Sequence, residues 1–125
     1  MKQKCLILIF ILLLPITAAA EQVFSVNLFF GLSRPDGTGV TLAQWQTFET
    51  QTLATTFPGF TVADTLGYYQ GAPERSKLVL LVLKQDEIPK AEKVAAAYAE
   101  KFDQDSVMMV KTPVAEWKFI TPETN

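Results

Sequence analysis

Apolar residues recur at every second position through Phe24, Val26, Leu28, Phe30 and Leu32. That period sets them on one face of a strand, and a wholly apolar face must be covered. The alternate positions, Val23, Ser25, Asn27, Phe29 and Gly31, are mixed and small. The strand runs into a loop carrying Ser33, Arg34, Pro35, Asp36 and Gly37. The period then changes. Leu42, Trp45, Leu53 and Phe57 share one side of a helix projected at about 100° per residue, with Phe48 at the margin. Thr41 and Gln44 have the spacing of a capping box, Val40 and Trp45 that of a hydrophobic staple, and Pro58-Gly59 ends the run. Glu49 projects onto the apolar stripe. A bend in the helix or a snorkelling carboxylate accounts for it; a partly buried acid is the sharper alternative.

A second strand is expected over Phe60 to Gln70, with Phe60, Val62, Leu66 and Tyr68 alternating and Gly67 as a bulge, before a turn at Gly71-Ala72-Pro73. Ser76 to Lys84 is apolar at six consecutive positions, the mark of a central strand covered on both faces. Pro89 opens a second helix whose buried side is Ala91, Val94, Ala95, Tyr98 and Phe102. A fourth strand follows from Ser106 to about Thr112, and Pro113 marks it as an edge. Trp117 and Phe119 are expected to extend it or cover an end of the core. The order strand, helix, strand, strand, helix, strand is that of an α+β, ferredoxin-like βαββαβ sandwich: a four-stranded antiparallel sheet with two helices on one face.

This topology gathers particular loops at one end of the sheet. The end of the first strand, the start of the first helix, the turn between strands two and three, and the junction of the second helix with strand four share a rim. The candidate ligand-binding residues there are Ser33, Arg34, Glu74, Arg75, Lys77, Gln104 and Ser106, with Tyr68, Tyr69, Ser76 and Asp105 beside them. Arg34, Arg75 and Lys77 are suited to a carboxylate or other anion. The competing interpretation is a network of ion pairs and hydrogen bonds pinning loops, through Arg34, Asp36, Glu74, Arg75 and Asp105.

Composition narrows the chemistry. The chain has 125 residues, no histidine and one cysteine, Cys5, which lies in the opening segment. That segment, residues 1–20, has Lys2 and Lys4, an apolar run from Cys5 to Leu14, and Ala18-Ala19-Ala20. It has the form of a secretory signal peptide, with an apolar run shorter than the ~20 residues of a membrane span. The expected mature chain, 21–125, is one domain with no stable membrane anchor and a periplasmic or secreted address. It carries nine basic against 13 acidic residues, which gives no reason to expect a nucleic-acid partner. Without histidine or cysteine it has no Ser-His-Asp or Cys-His centre, no usual zinc site and no histidine-ligated haem. No D-x-D-x-D-G cluster points to calcium, and no cofactor motif is present. Glu49, Glu74, Asp105, Tyr68 and Tyr69 remain as acids and bases for cofactor-free chemistry.

The blocks F-G-L-S-R-P-D-G, E-R-S-K-L-V-L-L-V and A-Y-A-E-K-F-D-Q-D-S-V, spread from Leu28 to Val110, carry a resemblance. The chain is similar to the small bacterial secreted or lipoprotein-type proteins catalogued as domain of unknown function 3574. It departs from that pattern at Ala54 to Pro58, where T-P-R-F-P is common, and at Gly67-Tyr68-Tyr69, where Gly-Gln-Trp is common. The resemblance implies the fold and an exported address and leaves activity open. The expectation drawn from the sequence is a non-catalytic domain that binds a small anionic ligand or a protein partner through the rim. The alternatives are a cofactor-free enzyme resembling dimeric α+β-barrel proteins, and a structural or assembly role in the envelope. The uncovered sheet face, with Val107 to Val110 on strand four, points to a homodimer.

Overall fold

The computed structural model describes residue 2, residues 11–15 and residues 21–123. Most of the expected leader, residues 1, 3–10 and 16–20, lies outside the described residues. Four strands, β1 (Val23–Gly31), β2 (Thr61–Tyr69), β3 (Ala72–Lys84) and β4 (Met108–Pro113), form one sheet in the order β2-β3-β1-β4, antiparallel throughout. The two apolar strands β1 and β3 are central, and the proline-bearing β4 is an edge. This is the expected α+β, ferredoxin-like arrangement.

The first helical arm covers the sheet in three pieces: α1 (Leu42–Phe48), a π-wound turn (Glu49–Leu53) and α2 (Ala54–Thr56). The capping box forms as expected, with the Gln44 N–H donating to Thr41 Oγ1 at 3.1 Å and the Thr41 N–H to Gln44 Oε1 at 2.9 Å. Thr41→Ala should lower folding stability by about 1 kcal/mol, read by urea denaturation. The π turn resolves the oddity at Glu49. Trp45 and Phe48 are buried, and so are Leu53 and Phe57; the step from 48 to 53 is the five-residue repeat of a π turn. That extra residue rotates the stripe, leaving Glu49 half-buried at its margin and bringing Phe48 fully inside. Leu42, expected on the stripe, is 65% exposed, because the stripe begins at Trp45.

The second arm is α3 (Ile88–Lys101), entered through a tight turn at Gln85–Glu87 with Pro89 in its first turn. It buries Ile88, Ala91, Val94, Ala95 and Tyr98. Both arms pack on the face of β1 that carries Phe24, Val26, Leu28 and Phe30. The centre of the core is aromatic: the Phe30 ring lies 5.5 Å from Trp45, 5.5 Å from Phe48 and 4.7 Å from Tyr98, with tilted or edge-on geometry.

Three local expectations are corrected. Gly67 is no bulge, since the β2–β3 register runs unbroken from Thr61 opposite Leu80 to Tyr69 opposite Ala72. The turn is tighter than expected: Gln70 and Gly71 have φ of 49° and 80°, the signature of a two-residue type I′ hairpin, and Ala72 and Pro73 already belong to β3. Trp117 and Phe119 neither extend β4 nor cover the core; they are solvent-exposed and stack edge-on with each other at 5.7 Å. The expected cover on both faces of β3 also fails within one chain. Val79, Leu81 and Leu83 are buried under the helices, whereas Leu80 and Val82, on the opposite face, are 40% and 44% exposed.

Candidate functional site

The candidate site is built where β1 ends. After Gly31 the chain makes one further ladder bond, Leu32 N–H to the Arg75 carbonyl at 3.0 Å, then folds over itself in a small hairpin. Arg34, Pro35 and Asp36 turn into Gly37 at φ 84°, and the Arg34 N–H donates to the Thr38 carbonyl at 2.8 Å. Proline presets the turn and glycine alone takes its left-handed position without strain. Asp36 locks it, accepting from the Thr38 N–H at 2.9 Å and hydroxyl at 2.6 Å, bonds that hold its carboxyl below the usual range. The hairpin carries Arg34 over the end of α3, with its guanidinium 5.6 Å from the Phe102 ring and 3.4 Å from Gln44 Oε1; its Nε is buried without a partner.

The end of α3 supplies the facing wall. Asp103 takes a left-handed φ of 52°, and the Gln104 N–H returns to the Ala99 carbonyl at 2.9 Å. This closure of the helix C-terminus aims the Gln104 side chain at β1. Its Nε2 donates to the Ser33 carbonyl at 2.7 Å and the Phe102 carbonyl at 3.0 Å. Beneath it Tyr98 donates its hydroxyl to the Gly31 carbonyl at 2.7 Å. Burial pushes the Tyr98 phenol well above its ordinary value of 10.0, the nearby Arg34 charge pulls it partly back, and Glu74 adds to the rise. A phenol raised in the fold contributes stability that is complete below about pH 10 and is lost as pH rises beyond it. Stability should therefore fall above pH 10 in the natural protein and fall less steeply in Tyr98→Phe, as equilibrium urea titrations at pH 8 and pH 11 would show.

Gly31 is the floor of the site. A Cβ there would stand 2.6 Å from Glu74 Oε1 and 2.9 Å from Gln104 Oε1, so the missing side chain is what admits both groups to the strand surface. Around them lies a cavity of about 570 Å³ lined by Phe29, Gly31, Ser33, Arg34, Tyr69, Glu74, Ser76, Gln104, Ser106 and Met108, with Tyr68, Asp103 and Asp105 at its rim. Thr65 and Ser76 share a hydroxyl hydrogen bond of 2.6 Å on the same face. Among the described residues the Glu74 carboxylate is in no ion pair or hydrogen bond, and no three metal-ligating side chains cluster.

The seven expected site residues divide between two cavities. Ser33, Arg34, Glu74, Gln104 and Ser106 line the one just described, on the uncovered sheet face. Arg75 and Lys77 point to the helix side, where they line a separate cavity of about 470 Å³ with Ser33, Val40, Leu42, Trp45 and Pro73. Lys77 is engaged there: it pairs with Asp64, lowering that carboxyl, and its ammonium lies 5.9 Å from the Trp45 ring. The alternation of β3 separates neighbours in sequence, and the anion site expected from three cations loses two of them. Of the expected network of ion pairs and hydrogen bonds through Arg34, Asp36, Glu74, Arg75 and Asp105, the hydrogen bonds of Asp36 with Thr38 and of Arg34 with Gln44 are present, whereas the ion pairs among the described residues are Lys77–Asp64, Lys84–Glu21 and Lys118–Glu116. Phe29, Gly31 and Met108 were missing from the candidate set, although their parity with Glu74 and Ser76 across the ladder was available in the sequence.

No curated protein matches this sequence. Solved structures that share its fold include two of a phage enzyme. A phage SAM lyase in complex with S-methyl-5'-thioadenosine matches at a TM-score of 0.55 and 19% identity, covering 83% of this chain and 98% of the lyase. A phage SAM lyase in the apo state matches at 0.56 and 20%, covering 78% and 94%. Their protein is an enzyme, so the expectation that a domain of this shape serves only in non-catalytic binding is corrected. The profile of the family described as "Protein of unknown function (DUF3574)" matches residues 25–119, from within β1 to beyond β4. The chain belongs to the DUF3574 family.

Proposed function

We propose that the protein is a cofactor-free enzyme acting on a small ligand with a cationic centre, held in the cavity at the end of β1. The observation that carries this is the Glu74 carboxylate, which stands unpaired over Gly31 inside a cavity of ligand size. Arg34 faces three carboxylates around that space, Glu74, Asp103 and Asp105. The balance favours a cation or a zwitterion over the anion first expected. Phe29, Tyr68 and Tyr69 offer aromatic surface that attracts sulfonium or ammonium groups, and Arg34 is placed for a ligand carboxylate. The shared fold with an enzyme whose structure contains S-methyl-5'-thioadenosine supports the same direction.

A sulfonium needs little help to react. In an elimination the Glu74 carboxylate accepts the proton from the carbon next to the one bonded to sulfur, the released C–H pair forms a carbon–carbon double bond, and the carbon–sulfur pair leaves with sulfur as a neutral thioether. The domain is further proposed to be exported after loss of residues 1–20 and to pair with a second copy through the uncovered sheet face. An address outside the cytoplasm is the reason to name the substrate by its charge. N-terminal sequencing of protein from the envelope fraction should begin at Glu21.

The test is calorimetric titration with three probes, SAM, S-methyl-5'-thioadenosine and adenosine monophosphate, joined to mass spectrometry of SAM for products. The sulfonium should bind at least about 10-fold more tightly than the monophosphate, and Glu74→Gln should remove that preference, a change of about 1.4 kcal/mol. Binding of none of the probes below millimolar concentration, or a preference untouched by Glu74→Gln, overturns the proposal.

A further inference from the structure

The uncovered face of the sheet carries Phe29, Leu78, Leu80, Val82, Met108 and Val110, with Asn27 near its centre and the small polar side chains of Ser25, Thr65, Ser76 and Thr112 around them. Asn27 stands between its register partners Leu80 and Val110, and its Oδ1 is buried without a hydrogen-bond partner. Of the strand residues on this face, Glu74 and Lys84 alone are charged, and they sit at opposite ends of β3. At ~3.3 Å per residue they lie roughly 20 Å and 13 Å on either side of Leu80.

Resting on the proposed pairing through this face, we infer that two copies stack sheet to sheet about a two-fold axis that crosses the strands at Asn27. The partner's Lys84 then comes over Ser76, at the wall of the cavity, where its ammonium can take the carboxylate of a zwitterionic ligand while Glu74 faces the cationic centre. An axis in that direction lays β1 on β1 and β3 on β3, running oppositely. Leu80 meets its own counterpart, Leu78 meets the partner's Val82, and Val110 meets its counterpart. The two Asn27 residues meet across the axis, as a residue on an isologous axis does. The positive end of each face lies over the negative end of the other. The alternative two-fold, along the strands, gathers both Glu74 carboxylates at one end and both Lys84 ammoniums at the other, and like charges there oppose it.

The area is sufficient. Four strands at ~4.8 Å and nine residues at ~3.3 Å give roughly 600 Å² of sheet per copy, or about 1,200 Å² for the pair, the lower edge of stable interfaces. In the single chain Lys84 contacts Glu21 at 3.3 Å, with both side chains about half exposed, so the ammonium is held only weakly and is free to turn to the partner's cavity. A cavity closed by a partner's lysine is complete only in the dimer.

Sedimentation equilibrium of the purified protein and its variants tests this without reference to any ligand, so its failure is separate from that of the enzyme assignment. The natural protein should sediment as a dimer at micromolar concentration, and Leu80→Glu as a monomer. Glu74→Lys and Lys84→Glu alone should each weaken the dimer about 10-fold or more, and the double exchange should restore it to within about threefold. Rescue by double exchange is expected of opposed charges across the axis and of no merely structural role. A monomer at all concentrations, a dimer indifferent to Leu80→Glu, or a double exchange no better than the single ones overturns the inference.

Discussion

Phe30→Ala should reduce folding stability by about 3–5 kcal/mol, a large share of the ~5–15 kcal/mol available to a domain of this size. The side chain is wholly buried and its ring touches three others, Trp45, Phe48 and Tyr98, which come from both helical arms. Truncation removes apolar transfer energy and also leaves a cavity whose walls are rigid rings. These have few alternative rotamers with which to collapse into the space. At roughly 4–8 °C per kcal/mol, the melting temperature should fall by about 12–40 °C. Phe29→Ala, one residue earlier on the opposite face, is the control. Phe29 is only half-buried in the single chain, and with both truncations made in the monomeric Leu80→Glu background its loss should move the melting temperature by a few degrees. Equal losses at the two positions, in thermal melts followed by circular dichroism, would contradict the layer assignment.

That contrast also explains what could be read from the chain beforehand. Alternation through Phe24, Val26, Leu28 and Phe30 requires a strand with one covered face, and the run Leu78 to Leu83 requires a central one; both sit where their patterns demand. The π turn was visible only as a five-residue gap between Phe48 and Leu53, which a fixed helical projection turns into a misplaced Glu49. The site was half legible. Chain direction brings the right loops to one end, but E-R-S-K was treated as one cluster although a strand sends Glu74 and Ser76 to one side and Arg75 and Lys77 to the other. The cavity floor could not be recognised at all, because its contribution at Gly31 is an absent side chain. Its importance depends on which groups, Glu74 and Gln104, arrive from distant parts of the chain.

Gly31→Ala therefore offers the sharpest separation between fold and site. The backbone of β1 at this position is ordinary strand, outside the left-handed region that alanine resists, and alanine suits a strand better than glycine. What the new methyl meets is the far end of two flexible side chains, Glu74 Oε1 at 2.6 Å and Gln104 Oε1 at 2.9 Å. Neither distance can persist, so both side chains must swing out. Gln104 then gives up its donation to the Ser33 and Phe102 carbonyls, which water can replace at the exposed rim. Folding stability should change by less than about 1 kcal/mol, within the range of substitutions that leave the core intact. The site fares differently. Glu74 loses its place over the strand, and Gln104 releases the hairpin that holds Arg34 over the cavity. The SAM preference in calorimetric titration should fall at least about 10-fold, as is expected of Glu74→Gln, although the carboxylate is still present. A displaced carboxylate and a neutralised one would thus give the same loss by different routes. If Gly31→Ala binds the sulfonium as well as the natural protein does, the position of Glu74 over Gly31 is not what recognises the cation, and the assignment of this cavity fails with it.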